Sequence, residues 1–152
     1  LLCGAAIGVG DEAMERLAAM VNKGLDLVVI DTAHGHTAGV LGTVERVKAA
    51  YPDLGLVAGN VVTAQGTRDL VSAGADIVTV GVGAGSICTT RVVTGVGMPQ
   101  ITAIQACAEE AHRQGVTVIA DGGVKYSGDL VKALAAGAAL PVTLQTRGMT
   151  PG

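Results

Sequence analysis

With 152 residues, 49% of them apolar and mostly Ala, Val, Leu and Ile, the chain is long enough for one domain with a real core. It holds 23 glycines, no Phe or Trp and only Tyr51 and Tyr126, which suits tightly packed β/α units and excludes an aromatic-centred sandwich or a base-stacking nucleic-acid module. A net charge of −3 without runs of like charge leaves no basic footprint, so no nucleic-acid partner is expected.

Short apolar runs alternate with helical patterns. Cys3–Ile7 reads as a strand, and Asp11 is expected to cap a helix with Met14, Leu17, Ala18 and Val21 on one face, ending at Gly24. Leu25–Ile30 is a predicted strand and Thr37–Ala50 a helix stopped by Pro52. Leu54–Ala58 is a strand, Ala64–Ala73 a helix ending at Gly74, and Ile77–Val80 a strand. A Gly- and Thr-rich loop is expected over Gly81–Gln100. Thr102–Gln114 (helix), Val116–Ala120 (strand), Gly128–Ala136 (helix) and a weak strand, Leu140–Leu144, complete the pattern.

The helix-to-strand joins carry a faint repeat: Lys23-Gly24-Leu25-Asp26-Leu27-Val28-Val29, Ala73-Gly74-Ala75-Asp76-Ile77-Val78-Thr79 and, more loosely, Ala136-Gly137-Ala138-Ala139-Leu140. In each, Gly supplies the left-handed residue that ends a helix, and Asp26 and Asp76 are expected to anchor the turns. Continuous apolar strands separated by helices predict an α/β fold with a parallel sheet buried on both faces. About six such strands without a dinucleotide-binding glycine fingerprint favour a (β/α)8 TIM barrel over a doubly wound sheet, and a partial one, since a full barrel takes ~250 residues.

Asp31, Asn60, Gly81 and Asp121 fall at the carboxyl ends of strands, where a parallel barrel builds its active site. One Asp in such a place is often only a helix cap; several on successive strands point to a site. Between Val80 and Arg91, glycines at 81, 83 and 85 let the backbone turn amides or carbonyls towards a ligand or ion, and Ser86 can donate to a phosphate. The cysteines Cys3, Cys88 and Cys107 are odd in number and far apart, which argues against a disulfide framework or a zinc site. Cys107 lies in a helical apolar stripe and Cys3 starts a strand, so both are expected to be packed. Cys88 lies in a polar loop, and spacing alone leaves two readings open: a nucleophile activated by loop dipoles, or an incidental cysteine in a glycine turn. No apolar run approaches the ~20 residues that span a bilayer, so no membrane partner is expected. The start, Leu1-Leu2-Cys3-Gly4, lacks a basic leader and an initiating Met and reads as the interior of a longer sequence, with the cytoplasm as the expected compartment.

Gly83-Ala84-Gly85-Ser86-Ile87-Cys88-Thr89-Thr90-Arg91, followed by Thr94-Gly95-Val96-Gly97-Met98-Pro99-Gln100, closely resembles the active-site loop of bacterial IMP dehydrogenases. Ile30-Asp31-Thr32-Ala33-His34-Gly35-His36, Ala58-Gly59-Asn60-Val61 and Ile119-Ala120-Asp121-Gly122-Gly123 match as well, in order and at the right spacing. The resemblance covers about residues 4–138 and leaves a divergent tail, 139–152. It implies a (β/α)8 barrel that oxidises IMP to XMP with NAD+ for guanine nucleotide synthesis, in a parent protein that is a homotetramer. By resemblance, Cys88 attacks C2 of the hypoxanthine, hydride leaves for the nicotinamide, and water oriented by Thr90 later cleaves the thioimidate. Ser86 corresponds to an IMP phosphate ligand. Asp121 would hold the ribose hydroxyls through both carboxylate oxygens, with Gly122 and Gly123 letting the phosphate approach backbone amides. Asp31 would contact the nicotinamide riboside, and Asn60 and Gly81 would line the same pocket. The carbonyls of Gly83, Gly85 and Cys88 match the family's potassium site. His34 and His36 read as loop histidines, since no third ligand is apparent and the family uses no transition metal.

The tail departs from the family. Where the last family strand reads roughly Val-Met-Leu-Gly-Ser, its Gly-Ser completing the phosphate cradle, this chain has Pro141 and then Val142-Thr143-Leu144-Gln145-Thr146. Thr79 stands where the family usually has Lys or Arg. The first barrel strands, the paired CBS modules and the mobile flap, whose Arg activates water, have no counterpart in this sequence. The chain alone is therefore expected to be inactive or to turn over once. Two rivals share some of the signal. GMP reductase has the same fold, cysteine and most of the loop, but Ser86-Ile87-Cys88, Gln100-Ile101-Thr102-Ala103-Ile104 and Met98 look more like the dehydrogenase. The other is a non-catalytic remnant, a nucleotide-binding or purely structural partial barrel, which the altered tail and missing flap would suit.

Overall fold

A computed structural model describes residues 1–142. Six strands, β1 (Gly4–Ile7), β2 (Leu27–Asp31), β3 (Gly55–Val61), β4 (Ile77–Val80), β5 (Thr117–Asp121) and β6 (Leu140–Val142), form one sheet in the order β1-β2-β3-β4-β5-β6. Every neighbouring pair is parallel. The helices are α1 (Asp11–Val21), α2 (Ala38–Ala50), α3 (Ala64–Ala73), α4 (Thr90–Thr94), α5 (Gln100–Arg113) and α6 (Ser127–Ala135). A doubly wound sheet reverses its strand order partway; this one does not. Right-handed crossovers in unbroken sequence put the long helices α1, α2, α3, α5 and α6 on the same face, so the sheet curls as a half-barrel.

The core lies between sheet and helices. Val28 and Ile30, Leu56 and Ala58, Val78 and Val80, and Val118 and Ala120 are buried there against Leu17, Val44, Val47, Leu70 and Ile104 of the helices. The alternate strand residues face the inside of the curl, because side chains in a strand alternate. The register sets Ala6, Val29, Val57, Ile77 and Thr117 in one inner row and Asp31, Gly59, Thr79, Ile119 and Leu140 in the next. Gly59 is required where β3 and β4 meet, since a β-carbon there would run into the hydroxyl and carbonyl of Thr79.

Local chemistry sets the element ends. Thr37 and Thr63 cap α2 and α3, their hydroxyls accepting from the Val40 and Gly66 amides at 3.3 and 3.1 Å. Gly74 ends α3 at φ +115°. The joins predicted to rest on Asp26 and Asp76 do so. Asp26 Oδ2 accepts the Cys3 amide at 2.7 Å and the Asp26 amide donates to Cys3 O at 3.0 Å. Asp76 repeats the brace on Leu56 at 2.8 and 2.9 Å and adds an ion pair to Lys48 Nζ at 2.8 Å. Ala139 keeps only the backbone half, donating to Val118 O at 2.9 Å.

Three expectations are corrected. Gly10, not Asp11, is the N-cap of α1; Asp11 is the first helical residue, and its carboxylate pairs with Arg46 Nη2 at 2.8 Å. Cys3 is exposed rather than packed, because it precedes β1 on the edge of the sheet, whereas Cys107 is buried as expected. The segment 81–100 is not loop throughout, because it contains α4 and the first residue of α5. The predicted strand Leu140–Leu144 is described only to Val142, and the residues that replace the Gly-Ser element lie outside the described residues.

Candidate active site

The rim at the carboxyl ends of β2 to β5 brings Asp31, Asn60, Gly81 and Asp121 to one end of the curl. Asn60 is the junction. It is 9% exposed, and its amide donates to Gly81 O at 2.9 Å and to Asp121 Oδ2 at 2.7 Å. One side chain thus ties the end of β3 to those of β4 and β5 and sets the direction of the Asp121 carboxylate. Gln100, at the start of α5, braces the same seam, with Nε2 donating to Val80 O at 2.8 Å and Asp121 O at 3.1 Å. Gly81 is buried between them; a β-carbon there would strike Asp121 O. Asp31 is exposed at the end of β2, beside Gly59 in the register.

The loop after β4 folds onto the loop after β5 through glycines. Asp121 is followed by Gly122 and Gly123, at φ +82° and +77°. A β-carbon on Gly122 would lie 3.0 Å from the Gly85 amide nitrogen, and one on Gly123 3.2 Å from Ala84 O. Exposed Ser86 follows directly, so a hydroxyl and two bare backbone turns share one corner. Gly83, at φ +73°, turns the chain so that Arg91 packs over it, and the loop closes through the Met98 amide on Val82 O at 3.3 Å and Arg91 Nη2 on Met98 O at 3.4 Å.

Cys88 is half-buried in this loop, its amide donating to Gly85 O at 3.1 Å and its Sγ 3.4 Å from Thr90 Oγ1. The thiol donates to that hydroxyl, and the thiolate accepts from it. The Thr90 hydroxyl is the largest reason why the Cys88 pKa is lowered, followed by the Thr90 backbone, with smaller help from the Gly83 backbone and the Arg91 charge against some desolvation. Burial pushes the Cys107 thiol the other way. Among the described residues, no three His, Cys, Asp or Glu side chains cluster as metal ligands.

A sequence model of the IMP dehydrogenase / GMP reductase domain matches residues 1–143. The chain belongs to that family. The Inosine-5'-monophosphate dehydrogenase of Halalkalibacterium halodurans is 61% identical over 137 residues, that of Bacillus subtilis 60% over 137, and that of Aquifex aeolicus 59% over 138. These matches cover 90 to 91% of the chain but only 28% of each relative, so the chain spans little more than a quarter of their length.

Within this member of the family, Cys88, Thr90, Ser86, Gly122, Gly123 and Asp121 gather where the β4 and β5 loops meet. Asp31 stands two strands away, beyond Asn60. Two polar side chains make contacts that the sequence does not mark. Gln100 stands in the segments that carry the resemblance, where nothing local marks its bonds to Val80 O and Asp121 O, 20 and 21 positions away. His36 was seen as a loop histidine, yet its Nε2 lies 2.7 Å from Asp69 Oδ2 in α3; a partner 33 positions away leaves no local pattern. Among the described residues, no helix is long and apolar enough to cross a membrane.

Proposed function

We propose that this chain supplies the central part of the catalytic barrel of an IMP dehydrogenase, oxidising IMP to XMP with NAD+ in the cytoplasm, within a homotetrameric parent protein. The observation that carries the reading is the setting of Cys88. Its thiol is tuned towards the thiolate by Thr90, in a loop whose backbone touches the turn after Asp121. The names of the relatives at about 60% identity support the same reaction.

Cys88 Sγ adds to C2 of the hypoxanthine, which becomes a thioimidate as C2 loses hydride. NAD+ supplies the two-electron acceptor for that hydride. Water, held at Thr90 Oγ1, then adds to C2, the C2–Sγ bond breaks, and the thiolate returns, so that IMP, NAD+ and water give XMP, NADH and a proton. Ser86 and the amides of Gly122 and Gly123 take the phosphate. Asp121 takes the ribose hydroxyls through Oδ1 and the lone pair of Oδ2 that Asn60 leaves free.

The residues fit both accessory groups. The exposed Asp31 carboxylate offers acceptors for a ribose diol, with Asn60 and Gly81 following at the ends of the next two strands. The carbonyls of Gly83, Gly85 and Cys88 are neutral hard oxygens, a donor set that suits potassium rather than a transition metal.

Rapid mixing with IMP, NAD+ and potassium, followed at the NADH absorbance, tests the proposal. One equivalent of NADH per Cys88, abolished by Cys88→Ala, is expected. Oxidation of NADPH on adding GMP would instead assign the reductase reaction, and neither signal would favour a non-catalytic barrel.

A further inference from the structure

A polar network with no part in this chemistry runs over the outside of the rim. His36, after β2, reaches Asp69 in the middle of α3, Nε2 to Oδ2, at 2.7 Å. Asp69 Oδ1 accepts from Gln65 Nε2 at 2.8 Å, and Gln65 Oε1 accepts from Arg68 Nη1 at 3.0 Å. Arg68 in turn forks onto Glu110 of α5 through Nε and Nη2, both at 3.0 Å. Asp69 is thereby a fixed anchor on a helix, its carboxyl held below the usual range first by Gln65 and then by His36.

The segment that ends at His36 is the one that begins after Asp31. It lies along the end of β3: the Thr32 amide and hydroxyl both donate to Gly59 O, at 3.0 and 2.7 Å, the Asn60 amide donates to Thr32 O at 2.9 Å, and the Gly35 amide to Asn60 O at 2.7 Å. Gly35 is buried so closely that a β-carbon on it would sit 2.8 Å from the Gly59 carbonyl carbon. Asn60 therefore carries the segment on its backbone and Asp121 on its side chain. Between these bonds, Ala33 and His34 are exposed, and beyond them the next fixed point is the Thr37 cap.

We propose that His36 is a positioning residue: its bond to Asp69 clamps residues 32–36 against β3 and so fixes Asp31 relative to Asn60. A bond to an ionised carboxylate is stronger than the neutral bonds it protects, which suits a clamp at a wet rim. The nature of the ligand served, a nicotinamide dinucleotide, rests on the function proposed above; the clamp does not. Because His36 touches no reacting atom, its loss acts on binding at Asp31 and leaves attack by Cys88 alone.

Amide hydrogen exchange and NAD+ titration on the full chain, with His36→Ala, Asp69→Ala and His36→Gln, test this. Exchange at the Gly35 and Asn60 amides is expected to quicken about tenfold or more in both alanine variants, with Val118 in β5 unchanged. The Kd for NAD+ should rise about tenfold, whereas protection of Cys88 by IMP stays the same. His36→Gln, which keeps a donor, should restore most of both. Unchanged exchange at Gly35 and Asn60, or an equal rise at Val118, would overturn the proposal. Quickened local exchange in a chain whose unmutated form takes up no NAD+ would uphold the clamp and sink the proposed function instead.

Discussion

Replacing Asn60 by alanine deletes two donations at once, to Gly81 O at 2.9 Å and to Asp121 Oδ2 at 2.7 Å. Asn60 is 9% exposed, so water does not readily take its place. A bond to a neutral carbonyl contributes about 0.5–1.5 kcal/mol and one to a carboxylate about 1.5–3 kcal/mol. Asp121 is only half-buried, which puts its share at the low end, and the sum is about 2–3 kcal/mol, or roughly 30- to 150-fold in the folding equilibrium. Urea unfolding should show this as a lower midpoint at an unchanged slope. Freed from Asn60, the Asp121 carboxylate loses its set direction, so IMP should also protect Cys88 from alkylation less well. Asn60→Asp should be worse at neutral pH, since two carboxylates then share the site, and should recover as acid protonates one of them. An unfolding free energy within about 0.5 kcal/mol of the unmutated chain, the range of an inconsequential surface change, would refute the claim that Asn60 holds the rim together.

Alkylation of Cys88 follows its thiolate, so the rate should fall as pH drops through a pKa lowered from the ordinary cysteine value by the Thr90 hydroxyl. Thr90→Val removes the largest cause and should move that profile upward; an unmoved profile contradicts the assignment. Ala139→Asp should complete the third copy of the brace that Asp26 and Asp76 make, raising stability by about 1 kcal/mol in urea unfolding, and no gain would show the copies are not equivalent. Arg68 holds the buried Glu110 carboxyl below its usual range, so its contribution is present above the unfolded value of ~4.3 and is lost as pH falls through the lower folded value. Glu110→Gln should therefore destabilise the chain at neutral pH and flatten the decline in acid, and equal losses at both pH values would argue against the ion pair.

Much of the fold was legible because it rests on local rules. Ala64–Ala73 and Ile77–Val80 were bounded correctly, one by a Thr cap and a left-handed Gly74, the other by an aspartate brace and Gly81. Where the rules are degenerate the boundaries slipped: α4 is one short turn of Thr-Arg-Val-Val-Thr without apolar periodicity, and Asp11 had a helix's first turn and an Arg46 partner to choose from. Asn60 was flagged by its place at a strand end, but its two partners lie 21 and 61 residues away. Likewise, the Gly122 and Gly85 turns announce themselves as glycines, while their contact needs the register of β4 and β5.

The mass of the peptide that carries Cys88, after the protein has met IMP and NAD+ and been quenched in acid, tests the central claim most directly. A nucleotide-sized increment is expected on that peptide, dependent on both IMP and NAD+, absent in Cys88→Ala and absent from the peptides of Cys3 and Cys107. An unmodified Cys88 peptide under saturating IMP and NAD+, in a protein whose Cys88 is shielded from alkylation by IMP, would contradict it.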